Sequence, residues 1–443
     1  MTEAATGAVE DRRTEEPTKA LTVRGATVLG VGSMIGAGIF ALLGEAGAVA
    51  GAAAWLSFLI GGVVAVLLGY VCVKLGTRYP SSGGLITYLV EGFGRGRLVG
   101  VASWLGYIAA IVIVGAMVVV SFGSYATALF VGNDAASWWH HLFITLIVVA
   151  LVGLNLTGAK VVAAAQSLIV LGVLVVFGVF IWVTVKDADF SHLAFSGYPS
   201  ATKILAAVAL TFFAYLGFNV ITFAAGDLRD PAHDLPRAMY SALGITTTVY
   251  VLITIGVFGT LTVAQVIQYG ERAIAEAARP ALGDAGYTVM AVAALLSTTG
   301  ATNATLYASG NLTGMLAQER LFPGFFGPGS RLGAKAGLLI TGGLVLLVAN
   351  LADLSAIASV GSAVSLTIFL VVGLAGYRLR RETGSNTPLV LAAMAVTVVV
   401  IVSFAVDTWR TAPETFVAIV GILAFSVVLD WWTRRRVSAQ TSV

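Results

Sequence analysis

Gly32-Ser33-Met34-Ile35-Gly36-Ala37-Gly38-Ile39-Phe40 lies in the middle of an apolar segment that runs from about Leu21 to Ala50. A helix of roughly 20 apolar residues crosses a bilayer, and this segment is long enough. Each glycine weakens a helix by about 1 kcal/mol relative to alanine. Glycines clustered at the midpoint of a span therefore point to a deliberate break, placed between Ile35 and Gly36. Unpaired backbone at membrane depth is tolerated only where it is buried in protein or lines a water-filled cavity. Freed amides and carbonyls at the midplane form a binding site for a small polar solute.

Composition sets the surroundings of that break. The chain has 443 residues, is 58% hydrophobic and 11% charged, and has a mean hydropathy of +0.94. Soluble domains carry about 25% charged residues. A polytopic all-α membrane protein follows. The apolar runs are far longer than the roughly 10-residue strands of a transmembrane barrel. The stretch Met1–Lys19 is polar, carries both charge signs and lacks the basic start and short apolar core of a signal peptide. The single cysteine, Cys72, excludes an intrachain disulfide and reads as a small apolar residue within a helix.

Twelve spans are expected, at roughly 22–49, 51–76, 97–130, 141–158, 162–185, 203–226, 237–262, 285–317, 335–351, 354–378, 388–407 and 414–433. With the N-terminus inside, 20 of the 25 lysines and arginines fall in inside segments and 5 in outside ones. Such a bias sets orientation, and it supports cytoplasmic termini. The expected organisation is a flexible cytoplasmic tail over 1–20 and a ten-helix inverted-repeat core over 21–380. Two further helices over 388–433 and a cytoplasmic tail over 434–443 complete the chain. The turn-rich Tyr79-Pro80-Ser81-Ser82-Gly83-Gly84 leads into an amphipathic stretch, and Trp138-Trp139 ahead of His140-His141 reads as an interfacial anchor.

A second interruption, Phe212-Phe213-Ala214-Tyr215-Leu216-Gly217-Phe218-Asn219, sits in span six. Spans one and six hold corresponding places in two consecutive groups of five. Interruptions so placed are the sequence pointer to an inverted-repeat transporter.

Three collinear blocks carry a resemblance to a known family. The first is Gly32–Phe40. The second is Phe213–Phe218, continuing to Asp227-Leu228-Arg229-Asp230-Pro231 and Leu235-Pro236-Arg237-Ala238. The third is Asn303-Ala304-Thr305-Leu306-Tyr307 followed by Leu321-Phe322-Pro323. Together they resemble the first, sixth and eighth spans of the amino acid–polyamine–organocation superfamily, and most nearly its prokaryotic ApcT-like branch of broad-specificity amino acid transporters. The resemblance implies a LeuT-type 5+5 inverted repeat with broken helices 1 and 6, and amino acid transport by alternating access.

An amino acid offers a carboxylate and an ammonium. The carboxylate suits the N-terminal end of a half-helix, which assigns it to the amides of Gly36, Ala37 and Gly38, with Met34 and Ile35 beside the break also expected at the substrate site. The residue-level alternative for Gly36 is close helix–helix packing. The ammonium needs free carbonyls at the end of a half-helix. The resemblance places Met34, Phe213, Ala214 and Leu216 in that role, with the Phe213 ring as a gate. Spans three, eight and ten hold no acid at their centres, so the expected substrate is a neutral amino acid, not a cationic amino acid or polyamine. Glu45, near the outer end of span one, reads as a solvated vestibule residue or a proton relay.

Coupling is read from span five. ApcT-like transporters carry a lysine there whose ammonium takes the place of a sodium ion, and this chain has Val173 near the matching position. Either a proton or sodium remains the expected coupling ion, with Gly32, Val173, Ser297, Thr298 and Thr302 around it, since carbonyls and hydroxyls suit a hard cation. Interhelical hydrogen bonding is the alternative for those hydroxyls, and exchange without an ion is the alternative mechanism. No other cofactor, resident metal or nucleic-acid partner is expected; the partners are the amino acid and the bilayer. The Asp227–Arg237 loop reads as a hinge or inner gate. An ion channel would need a repeated carbonyl loop or charged ring, and an enzyme catalytic groups within the spans; neither pattern is visible.

Overall fold

The computed structural model describes residues 21–441 apart from 82, 133, 158–161, 187, 328–329 and 331–332. The expected N-terminal tail, Lys160 and Arg331 lie outside the described residues. Among the described residues there are seventeen α-helices and no strand. They are α1 Val23–Ala37, α2 Ile39–Ala50, α3 Ala54–Arg78, α4 Leu85–Phe93, α5 Arg97–Tyr107, α6 Val114–Phe130, α7 Trp138–Leu156, α8 Val162–Lys186 and α9 Ala201–Tyr215. There follow α10 Val220–Phe223, α11 Pro231–Thr260, α12 Val263–Tyr269, α13 Ala273–Gln318, α14 Ala334–Leu351, α15 Leu354–Arg378, α16 Thr387–Thr411 and α17 Pro413–Thr441.

Ten stretches are long and apolar enough to cross a membrane, the first of them, Ile39–Arg78, running through both α2 and α3. Val23–Gly36 and Lys335–Leu351 are shorter apolar helices. The protein is therefore a multi-pass helical membrane protein, the only fold besides a closed barrel that satisfies every backbone polar group in hydrocarbon. The amphipathic stretch after the turn-rich loop is α4, entered at Gly84 with φ 51, a left-handed backbone that suits glycine. The last helix runs on to Thr441, through the stretch expected as a C-terminal tail.

The interrupted segments lie at the centre. Helix α1 packs on α11, α13 and the turn after α9; α2 packs on α9. Span three is continuous in length but not in kind. A π-helical stretch, Ile108–Ile113, joins α5 to α6, and such bulges occur often at functional sites. Pro280 and Gly283 (φ 63, ψ −160) bend α13 near its N-terminal end. At the start of the described chain, the Leu21 amide donates to the Asp227 carbonyl at 2.8 Å. This ties the entry of α1 to the loop that follows the second break.

Candidate functional site

The first break falls at Gly38 (φ −109, ψ −76), later than the Ile35–Gly36 junction expected from sequence. Helix α1 carries through Gly36 to Ala37, and α2 starts at Ile39. The physical reason is what each glycine touches. A Cβ on Gly36 would lie 2.8 Å from the Ser297 carbonyl and from the Ala301 Cβ, so Gly36 seats α13 against an intact helix. A Cβ on Gly38 would lie 2.5 Å from the Ala214 carbonyl and 2.8 Å from the Met34 carbonyl, and would run into the Tyr250 hydroxyl. Gly38 is where the backbone turns and where three polar atoms crowd it.

Helix α2 then supplies an anion-binding end. The Leu42 amide makes the first helical bond, to Gly38 O at 2.9 Å. The amides of Ile39, Phe40 and Ala41 are left without an intrahelical acceptor, at the positive end of the helix dipole. Of the residues expected at the carboxylate, Gly38 lies at this end. Met34 and Ile35 are buried in the last turns of α1.

The second break is the 3-10 turn Leu216–Asn219 between α9 and α10. It presses directly on the first. A Cβ on Gly217 would lie 2.5 Å from the Met34 amide nitrogen, so only glycine permits the approach. The Ala214 carbonyl faces Gly38. The Phe213 carbonyl already accepts from the Leu216 amide. The Phe213 ring is buried and reaches across to Gly361 on α15, which Ile113 at the end of the π-helical stretch also approaches.

One side chain that sequence reasoning missed holds the breaks together. The Tyr250 hydroxyl on α11 donates to Met34 O at 2.6 Å and lies 3.2 Å from Ala214 O. Its ring is braced edge-on by Phe58 at 5.5 Å and by a tilted Tyr215 ring at 5.0 Å. The Tyr215 hydroxyl in turn donates to Phe58 O. A tyrosine inside an apolar span carries no periodicity or spacing that distinguishes it from core packing.

The span-five side chain nearest Gly32 is Val170: a Cβ on Gly32 would run into the Val170 methyls. Val173 lies a turn further along α8, buried in the core. Thr298 and Thr302 donate back to the Ala294 and Thr298 carbonyls at 2.7 and 2.8 Å. Ser297 sits beside Gly36. Ser297 therefore faces α1, while the Thr298 and Thr302 hydroxyls are committed to their own helix.

The remaining motif residues are structural contacts. Phe322 stacks on Trp104 with centroids 3.8 Å apart, joining the end of α13 to α5. Asn155 donates to Asn303 Oδ1 at 2.9 Å, joining α7 to α13. Asp230 caps α11 at Ala232 and holds His233 at 2.7 Å. The His233 hydrogen bond keeps the Asp230 carboxyl below the usual carboxylate range. Glu45 is half-buried on α2.

Two interrupted apolar helices that meet backbone to backbone inside a multi-pass bundle define a solute transporter class. A family profile described as amino acid permease matches residues 21–429. The chain belongs to that family, within the amino acid–polyamine–organocation superfamily. It is 30% identical to the inner membrane transport protein YbaT of Escherichia coli (strain K12) over 92% of this chain and 94% of that protein. It is 28% identical to the serine/threonine exchanger SteT of Bacillus subtilis (strain 168) over 67% of this chain and 68% of that protein. A third relative is the mitochondrial cationic amino acid transporter 3 of Arabidopsis thaliana, 30% identical over 54% of this chain and 42% of that protein.

Proposed function

We propose that this permease moves neutral amino acids across the plasma membrane by alternating access, with cytoplasmic termini and twelve spans arranged as a LeuT-type inverted repeat. The carrying observation is the convergence of Gly38, Met34 O, Ala214 O and the Tyr250 hydroxyl at the two breaks. The start of α2 supplies amides for a carboxylate, and the carbonyls of Met34 and Ala214 supply acceptors for an ammonium. Phe213 spans from α9 to α15 and suits a gate over that point. Absence of an acid at the centres of spans three, eight and ten favours a neutral side chain. Counting α1 with α2, α5 with α6, and α9 with α10 as single interrupted spans, and setting aside the short α4 and α12, leaves twelve, in keeping with the expected number.

A second reading, exchange without a coupling ion, is favoured by a specific contact. Val170 places methyl groups against Gly32, where a proton-carrying lysine or a sodium ion would need polar surroundings. The name of the relative SteT, an exchanger, agrees with it.

Uptake of radiolabelled amino acids into proteoliposomes tests both. Concentrative uptake driven by a proton or sodium gradient supports a symporter and names the ion. Acceleration only by substrate on the far side supports exchange. No movement of any neutral amino acid under any gradient sinks the substrate class.

A further inference from the structure

We propose that Tyr125 is a positioning residue, a latch that holds α2 and the turn Gly270–Arg272 against α6 and so keeps one mouth of the permease closed. The latch itself is a matter of helix contacts. Its link to transport rests on the reading of the two breaks as the substrate site.

A side chain of one element is bonded here to the backbone of another. Tyr125 on α6 is fully buried, and its hydroxyl donates to the Glu271 carbonyl at 2.6 Å. Glu271 lies in the turn Gly270–Arg272, between α12 and α13. That turn is seated on α2. A Cβ on Gly44 would lie 2.6 Å from the Gly270 carbonyl oxygen and 3.0 Å from the Gly270 Cα. A Cβ on Gly47, on the same face of α2, would lie 3.2 Å from a Val266 methyl of α12. Packing this close transmits displacement, so α2 and the turn move together.

A second contact closes the circuit. The Phe40 ring meets the Tyr125 ring edge to face, with centroids 5.8 Å apart, and lies 5.2 Å from Phe177 on α8. Phe40 is also one of the residues whose amide is left free at the start of α2. Tyr125 therefore reaches α2 twice. Its ring touches Phe40 beside the first break, and its hydroxyl holds the turn that carries Gly44. Parting α2 from α6 breaks both contacts together.

A cavity of about 480 Å³ adjoins the latch, lined by Val120 and Ser124 of α6, by Glu271, and by His140, Asn350 and Asp353. In the proposed orientation it lies on the outer side. Tyr125 thus links the cavity wall at Glu271 to Phe40 at the first break. A neutral hydrogen bond of ordinary net strength shifts a two-state equilibrium about twofold to tenfold. That is enough to bias the closed arrangement and still let it reverse in every cycle. A carboxylate held by the free amides of α2 favours closure to the extent that the closed arrangement binds it better.

The test reads how fast a bulky, polar maleimide labels a cysteine at the cavity wall. The parent is the full-length protein in detergent with Val120→Cys, a buried position lining the cavity, and Cys72→Ala, which removes the single native cysteine. Tyr125→Phe keeps the ring and removes the donor. It is expected to speed labelling about twofold to tenfold with no amino acid present. Tyr107→Phe removes a different buried bond, between α5 and Thr341 on α14, and is expected to label at the parental rate. L-Alanine, L-serine and L-leucine are then added in turn, and at least one is expected to slow labelling of both the parent and Tyr125→Phe. The latch fails if Tyr125→Phe labels at the parental rate without amino acid. It fails too if Tyr107→Phe speeds labelling equally, which would make the effect a general loosening. Faster labelling of Tyr125→Phe alone, with no neutral amino acid slowing either protein, would uphold the latch and overturn the reading of the breaks as a neutral amino acid site.

Discussion

The Tyr250 hydroxyl donates to the Met34 carbonyl at 2.6 Å, so a side chain of α11 closes the carbonyl end of the first break. It also lies 3.2 Å from the Ala214 carbonyl at the second. A carbonyl oxygen has two lone pairs, so Met34 O can accept from Tyr250 and from a substrate ammonium together. On the proposed function, the hydroxyl would orient these acceptors and keep Met34 O paired in the absence of substrate.

Tyr250→Phe removes that donor and leaves the ring packing intact. Leaving the buried carbonyls unpaired is expected to cost about 1–3 kcal/mol. The midpoint of thermal unfolding should fall, and the apparent KM for substrate should change by about tenfold. Unchanged KM together with an unchanged midpoint would remove Tyr250 from the site.

The two glycines of the opening motif should fail differently. Gly36→Ala forces α1 away from Ser297 and Ala301 on α13, an overpacking cost of about 1–3 kcal/mol. Gly38→Ala puts a methyl on the Ala214 and Met34 carbonyls and the Tyr250 hydroxyl. The first variant is expected to lower thermal stability while substrate still protects it. The second is expected to lose protection by substrate. Equal protection in both would place the substrate elsewhere.

Val170 and Val173 separate two views of coupling. Val170→Lys aims an amine at Gly32, whereas Val173→Lys starts a turn away. Burial lowers a lysine pKa from its ordinary value of about 10.4. The amine is then charged at low pH and neutral at high pH. Uptake by Val170→Lys is expected to become pH-dependent, and uptake by Val173→Lys to follow the wild-type profile. The reverse pattern would support Val173 as the coupling position.

Phe322→Ala is expected to cost about 3–5 kcal/mol, because the ring is fully buried and stacked on Trp104. Tyr307 belongs to the same family-like block yet is 65% exposed. Tyr307→Ala is therefore expected to leave the unfolding midpoint within about 0.5 kcal/mol of wild type. Comparable losses in the two variants would mean that Tyr307 is covered by a neighbour in the membrane.

Much of this architecture was legible because the bilayer imposes a one-dimensional rule. Apolar stretches had to become helices, and the glycine cluster in one and the lone glycine in another marked where they break. Arg97–Phe130 and Leu354–Arg378 coincide with expected spans for that reason. The location of the first break within its motif was not legible. Gly36 and Gly38 are chemically identical, and only the neighbours, Ser297 for one and Ala214 for the other, show which seats a helix and which turns the chain.

By itself, then, the sequence determined a multi-pass helical protein with interruptions in spans one and six, and the family blocks at Gly32–Phe40 and Phe213–Phe218. Tertiary structure alone decided that Gly217 lies against the backbone at Ser33 and Met34, that Tyr250 reaches both breaks, and that Val170 packs on Gly32. The physical reason is that hydropathy and helix breaking are local, whereas a contact between α1, α8, α9 and α11 depends on how each helix is rotated about its axis. In nearly uniform apolar spans, periodicity does not record that rotation.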